Sequence, residues 1–173
     1  MRTFLLLLIC GIFLAQAVHA AQTCEPDFIP ASTPDSQLVD NNDGTVTDRK
    51  TGLTWKKCLE GVAGDNCEIG LPSSFTWQEA LQQPAAVNAV GFANHNDWRL
   101  PNIKELGSLV EEQCANPAIN LNRFPSTPST SLWSGSPDAF NVANAWYVDF
   151  TNGNSDRFPR DSLLAVRLVR SGQ

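Results

Sequence analysis

Four cysteines behind an apolar amino-terminal leader constrain this chain more than any other feature. Arg2 precedes a run containing Leu5 to Leu8, Ile9, Ile12, Phe13 and Leu14, and Val18-His19-Ala20 ends it with the small residue a signal peptidase requires. The expectation is an export signal over residues 1–20, cleaved after Ala20. Gly11 and Gln16 interrupt the run, it is short for a membrane-spanning helix, and no second apolar segment follows. No transmembrane segment is therefore expected after processing, and the protein is read as secreted, periplasmic or held at the cell surface. Cys24, Cys58, Cys67 and Cys114 then face an oxidising compartment, where an even count implies two disulfides out of three connectivities. Cys58 and Cys67 bracket the short loop Leu59 to Asn66, whose closure contributes about 2–3 kcal/mol by restricting the unfolded chain. Pairing them assigns Cys24 to Cys114 by elimination.

Roughly 150 residues beyond the leader is enough for one compact domain with its own core. The whole chain carries 12 basic and 18 acidic side chains, a formal net charge of −6, and the leader contributes Arg2 and no acid. Such a balance argues against nucleic acid and, less strongly, against sulfated polysaccharide, both of which reward a dominant positive field. A zinc site is disfavoured because there is no Cys-x-x-Cys pair and His19 leaves with the leader, so that His95 is the one remaining imidazole. The same scarcity impoverishes Cys-His and Ser-His catalytic arrangements.

Along the chain, residues 21–37 read as an extended amino-terminal segment that Cys24 can pin to a body spanning 38–170. Leu38-Val39, Thr45-Val46-Thr47-Asp48 and Leu53-Thr54-Trp55 are short strands joined by Asp43-Gly44 and Thr51-Gly52 turns. Asp40 to Gly44 resembles a calcium loop only superficially, since Gly44 falls at the fifth position and Lys50-Thr51 occupy the far end. Thr76-Trp77-Gln78-Glu79 is a capping box that predicts a helix from Trp77 to Gln83, with Pro84 as its stop, and the small apolar stretch Ala85 to Ala93 reads as a separate helical turn and then a loop. Asn102 and Glu105 cap a second helix reaching Glu112, whose Ile103, Leu106, Leu109 and Val110 share one apolar face. Between Cys114 and Ser131 the chain is a long irregular loop, ordered only by packing Ile119, Leu121 and Phe124 inward. Ser131 to Ser136, Ala145 to Phe150 and Leu163 to Arg170 are strands, and Asn152-Gly153 turns the chain toward Arg157-Phe158. Two main helices packed on short, mostly antiparallel strands with long loops make an α+β fold.

Four pieces occur in a fixed order: Asp43-Gly44-Thr45-Val46-Thr47-Asp48 with Thr51-Gly52-Leu53-Thr54-Trp55; Thr76-Trp77-Gln78-Glu79-Ala80; Asp97-Trp98-Arg99-Leu100-Pro101-Asn102-Ile103-Lys104-Glu105-Leu106; and Ala145-Trp146-Tyr147-Val148-Asp149-Phe150 leading to Val166-Arg167-Leu168-Val169-Arg170. Together they resemble the bacterial family named for the C-terminal domain of the Legionella collagen-like adhesin. More distantly, Arg99-Leu100-Pro101 and Arg167-Leu168-Val169 are similar to segments of C-type-lectin-like folds, formylglycine-generating enzymes included. The resemblance implies a C-type-lectin-like α+β domain and an adhesive role. It carries over no catalytic residue, and this chain lacks the collagen repeat that would impose a trimer.

Tryptophan faces stack on sugars, and amide and carboxylate oxygens bind sugar hydroxyls. Candidate ligand-binding residues are therefore Trp133, Asp138, Asn141, Asn144, Trp146, Asp149, Asn152, Asn154, Asp156 and Arg157, within a binding face formed by loops 115–156. Tyr147 and Asp149 should point away from the face shared by Trp146, Val148 and Phe150. The alternative for the tryptophans, Trp133 and Trp146 included, is burial in the core, and for the Asn and Asp residues it is turn chemistry. Trp98, Arg99 and Glu105 are read as structural, the last two as an ion pair. No cofactor is expected: the oxygen-rich composition also suits calcium, but no motif specifies it. The reading is a binding module for a glycan or a cell-surface protein, against an enzyme related to formylglycine generation or a protein-binding scaffold subunit.

Overall fold

The computed structural model describes residues 21–172; the export signal expected over residues 1–20 lies outside the described residues. The first described strand, β1 (Thr23–Cys24), is followed by a meander of β2 (Leu38–Asp40), β3 (Thr45–Asp48) and β4 (Leu53–Lys56), and then by a small hairpin, β5 (Val62–Ala63) and β6 (Ile69–Gly70). Helices α1 (Trp77–Val90) and α2 (Ile103–Gly107) come next, then β7 (Cys114–Ala115), β8 (Ser131–Pro137), β9 (Asn144–Asp149), β10 (Asn154–Pro159) and the closing strand β11 (Val169–Ser171). A four-stranded sheet runs β11-β4-β3-β2 and a three-stranded sheet runs β10-β9-β8, with β1-β7 and β5-β6 as two-stranded ribbons, every pair antiparallel. This is an α+β arrangement of small antiparallel sheets with two short helices.

The meander turns where the sequence places them. Gly44 sits at φ 85°, a left-handed value that disfavours any side chain, and a Cβ there would lie 2.9 Å from the Phe92 ring. The carboxylates of Asp40 and Asp43 serve this region: Asp40 accepts from the Asn42 N–H at 2.9 Å and pairs with the Lys57 ammonium, and Asp43 accepts from the Thr45 N–H at 3.0 Å.

One core lies between the two larger sheets and α2. It contains Val46, Trp55, Leu106, Leu109, Ile119, Phe124, Leu132, Val148 and Phe150. The second lies under α1 and gathers Trp77, Ala80, Trp98, Leu100, Trp133, Ala145, Val166 and Leu168. Adjacent residues of β8, Leu132 and Trp133, enter different cores, because alternate side chains of a strand leave opposite faces. Strand β8 is thus covered on both sides, whereas β10 is exposed along its length.

Three boundaries differ from the sequence expectation. Helix α1 continues through Pro84 to Val90 instead of stopping. Asn88 explains the extension: its side chain donates to the Trp98 carbonyl at 2.8 Å and accepts from the Trp98 N–H at 2.9 Å, so tertiary bonds hold the added turns. The second helix closes at Gly107, short of Glu112. Val110 forms a bridge with Ile119, and the Glu111 N–H donates to the Ala118 carbonyl, which draws the chain into extended form. Only Leu106 and Leu109 of the expected apolar face are fully buried, and "two main helices" reduces to one of 14 residues and one of 5. Finally, the terminal strand is confined to Val169–Ser171. Upstream of it the chain changes partners at almost every residue, Leu164 bonding Phe75, Ala165 bridging Leu132 and Leu168 accepting from Lys56, and this stitches the sheets together.

Both disulfides pair as the loop-closure argument predicts, Cys58 with Cys67 and Cys24 with Cys114. Cys24 and Cys114 face each other across β1 and β7, which fastens the amino-terminal segment to the body.

Candidate functional site

The oxygen-rich residues of 138–156 are largely engaged with their own backbone. Asp138 accepts from the Phe140 N–H at 2.9 Å, Asn141 from Ala143 at 3.0 Å, Asp149 from Thr151 at 2.8 Å, Asn152 from Asn154 at 3.0 Å and Asp156 from Arg157 at 2.8 Å. These are side-chain-to-backbone turns, which Asp and Asn form readily. Among the described residues there is no group of three or more His, Cys, Asp or Glu side chains that could hold a metal ion. Asp138 is buried, whereas Asn141, Asn152, Asn154, Asp156 and Arg157 are exposed and Asn144 and Asp149 are half-buried.

Trp133 leaves the surface altogether. It is fully buried in the core beneath α1 and donates its indole N–H to the Phe75 carbonyl at 2.9 Å, so it is a packing residue and offers no face to a ligand. Trp55, Trp77 and Trp98 are buried as well, which leaves Trp146 as the one tryptophan with a substantial exposed part. On β10, Arg157 pairs with Trp146 across the strands and sets its guanidinium 4.9 Å from the ring centroid. Tyr147 points away from Val148 and Phe150, as its strand parity suggested, and is half-buried. Its ring packs edge-on against Trp133 at 6.5 Å and tilted against Phe158 at 5.7 Å, since the core under α1 lies on that side of the sheet. Burial, followed by the Asp156 and Asp149 carboxylates, pushes its phenol above the ordinary range.

A second part of the expected binding face is concave. The loop after β7 folds its apolar residues inward, with Ile119 and Phe124 fully buried and Leu121 against the core. On its outer side it leaves an open cavity of about 560 Å³. Ala21 and Gln22 form one wall, Asn116, Pro117 and Leu121 another, and Ser126, Thr127, Pro128 and Ser129 the third. Gln22 is fixed by donating to the Pro117 and Ile119 carbonyls, both at 2.7 Å. The lining carries no charged side chain. It alternates amides and hydroxyls with proline, alanine and leucine surfaces, a chemistry suited to the hydroxyls and C–H faces of a neutral sugar.

Behind that wall sits Arg167, a residue the sequence reading used only as a family marker. Its side chain is fully buried, and it donates to the carbonyls of Lys56 and Lys57 and, at 2.8 Å, to the Thr127 hydroxyl, with its guanidinium 4.6 Å above the Phe124 ring. Burial lowers it to about 9, opposed by the Glu60 carboxylate, so it stays protonated at neutral pH. Thr127 in turn donates to the Phe124 carbonyl at 2.8 Å, which ties the cavity wall to this buried cation. Nothing in composition marks an Arg as buried; the apolar residues that flank Arg167 in sequence, just before the last strand, were the available signal.

Arg99 and Glu105 make a two-pronged ion pair, both contacts 2.7 Å, and Glu105 also accepts from the Asn102 N–H at 2.8 Å. The Arg99 guanidinium, with that N–H, holds the Glu105 carboxyl below its ordinary range against the opposing effect of burial. The pair locks the start of α2. A further surface is apolar: Phe140 and Val142 on the β8–β9 loop and Leu163 after β10 are largely exposed, and Arg160 joins the two segments by bonds to the Ala143 and Asn144 carbonyls.

No helix among the described residues is long and apolar enough to cross a membrane. The sequence family described as the Lcl C-terminal domain matches residues 44–170, beginning in the first hairpin and ending in β11. No curated protein matches the chain.

Proposed function

The chain belongs to the Lcl C-terminal domain family, and from that premise we propose that it is an exported, adhesin-related recognition module that binds carbohydrate in the cavity of the 115–129 loop. The observation that carries this reading is the cavity itself, concave, uncharged and lined by amide and hydroxyl groups between apolar surfaces. Two closed disulfides fit an oxidising compartment, and they leave no free thiol among the described residues, which weighs against thiol-dependent oxidase chemistry. We read the fold as C-type-lectin-like, supported by the return of the chain's end to the sheet of its first hairpin and by the long irregular loop that follows α2.

Ser129 is exposed on the cavity rim, so Ser129→Trp fills the space without disturbing the core. On a glycan array the processed protein should bind a sugar ligand, and the variant should lose at least tenfold in affinity while keeping its melting temperature. Unchanged binding by the variant rejects the cavity.

The exposed Phe140, Val142 and Leu163 favour a second reading, recognition of a protein partner through an apolar contact. A double variant, Phe140→Ser with Val142→Ser, separates the two, because it should leave sugar binding intact and abolish only a protein interaction.

A further inference from the structure

Position 21 has a double identity. It lines the cavity, and it is the residue that signal cleavage after Ala20 would make the amino terminus. Its place is held from several directions: Gln22 bonds two carbonyls of the 115–120 segment, Thr23 and Cys24 pair with Ala115 and Cys114, and the Cys24–Cys114 disulfide closes the ribbon. Before cleavage the nitrogen of Ala21 is a neutral peptide amide. Afterwards it is an ammonium.

We infer that processing completes the cavity, the new α-ammonium of Ala21 turning an uncharged pocket into a subsite for a sugar carboxylate. The inference rests on the carbohydrate reading and on cleavage after Ala20. No acidic side chain lines the cavity to neutralise that ammonium. The adjoining groove, which shares Gln22 and Leu121 with it, does contain Asp35 and Glu111, but both are engaged. Asp35 accepts from Asn120 and Asn122 and lies 3.6 Å from Arg123, and Glu111 is surrounded by donors from Ser32, Thr33 and Gln113. The other nearby charge is also positive: Arg167 stands one hydroxyl behind the wall, bonded to Thr127, and no carboxylate among the described residues forms an ion pair with it. A carboxylate in the cavity would meet the ammonium directly, a charge-assisted contact that favours anions, while the buried Arg167 cation behind the wall adds to the positive field without a hydrogen bond of its own to the ligand, since the Thr127 proton goes to the Phe124 carbonyl.

The test uses the exported, processed protein, its amino terminus established by intact mass, beside the same protein acetylated selectively at the α-amine. Each is titrated with glucose and with glucuronate by NMR, whose amide spectrum also reports whether acetylation leaves the fold intact. The expected result is about tenfold tighter binding of glucuronate than glucose to the free amine, with acetylation erasing the difference and sparing glucose. Equal affinity for the two sugars, or a glucuronate preference that survives acetylation, overturns the inference while leaving carbohydrate binding in place. Failure of both sugars to bind overturns it together with the carbohydrate reading, and a mature terminus other than Ala21 overturns it alone.

Discussion

Glu111 decides how firmly the amino-terminal segment is held. Its buried carboxylate accepts from the backbone N–H groups of Ser32 at 2.8 Å, Thr33 at 2.9 Å and Gln113 at 3.1 Å, and from the Ser32 and Thr33 hydroxyls. Burial pushes its carboxyl up, but these donors outweigh that and hold it below the ordinary range. With a folded value under the unfolded one of about 4.3, its contribution is present above that pH and is lost as pH falls through the folded value. Glu111→Gln, which turns an NH2 group toward this nest of donors, should cost about 2–3 kcal/mol at pH 7 and flatten the acid limb of stability, as measured by urea unfolding across pH 3–7. Arg167 has the reverse geometry, a donor among carbonyls. Arg167→Met keeps the volume but strands the Lys56 and Lys57 carbonyls, and a loss of about 3 kcal/mol in the same assay is expected. Stability within 0.5 kcal/mol of the parent, roughly the scatter of neutral surface changes, would contradict either assignment.

At the level of elements, Pro84 is the instructive case. Proline lacks the N–H that would bond the carbonyl four residues back, and a helix interior tolerates it at a cost of up to about 3 kcal/mol. Reading it as a stop is sound local chemistry. What overrode it was Asn88 gripping Trp98, a contact between residues ten apart that no periodicity reveals. Pro84→Ala should therefore raise stability by about 1–3 kcal/mol, and Asn88→Ala should lower it while releasing the last turns of α1, visible as faster amide exchange over 85–90. The features that were legible in the sequence are those set by neighbours along the chain: the capping boxes at Thr76 and Asn102, both present, and the glycine turns of the meander. Gly153 belongs with them, at φ 81° in the β9–β10 turn, where a Cβ would strike Val110 at 2.6 Å. The early end of α2 and the partner changes after Leu163 depend on distant strands, and local pattern could not supply them.

On the scale of the whole molecule, cysteine arithmetic gave both disulfides, and the inward packing of Ile119 and Phe124 foretold an ordered loop after β7. The expected binding face divided less cleanly. Its place beside the polar loop made Trp133 a ligand candidate, yet β8 lies between two cores and leaves neither side open for it. The cavity draws on residues about 95 apart in sequence, Gln22 and Pro117, and such convergence is set by the fold as a whole. Replacing Cys24 and Cys114 together by serine should cost about 2–4 kcal/mol, with calorimetry as the check, because a separation of 90 residues then closes only by noncovalent contact.

That same bridge makes residues 24–114 a covalent ring. One proteolytic nick inside the ring, in the exposed stretch at Ile69 to Leu71 for example, cannot shed a fragment. The cut chain should migrate as one species on a denaturing gel and fall into two only when a reductant is added.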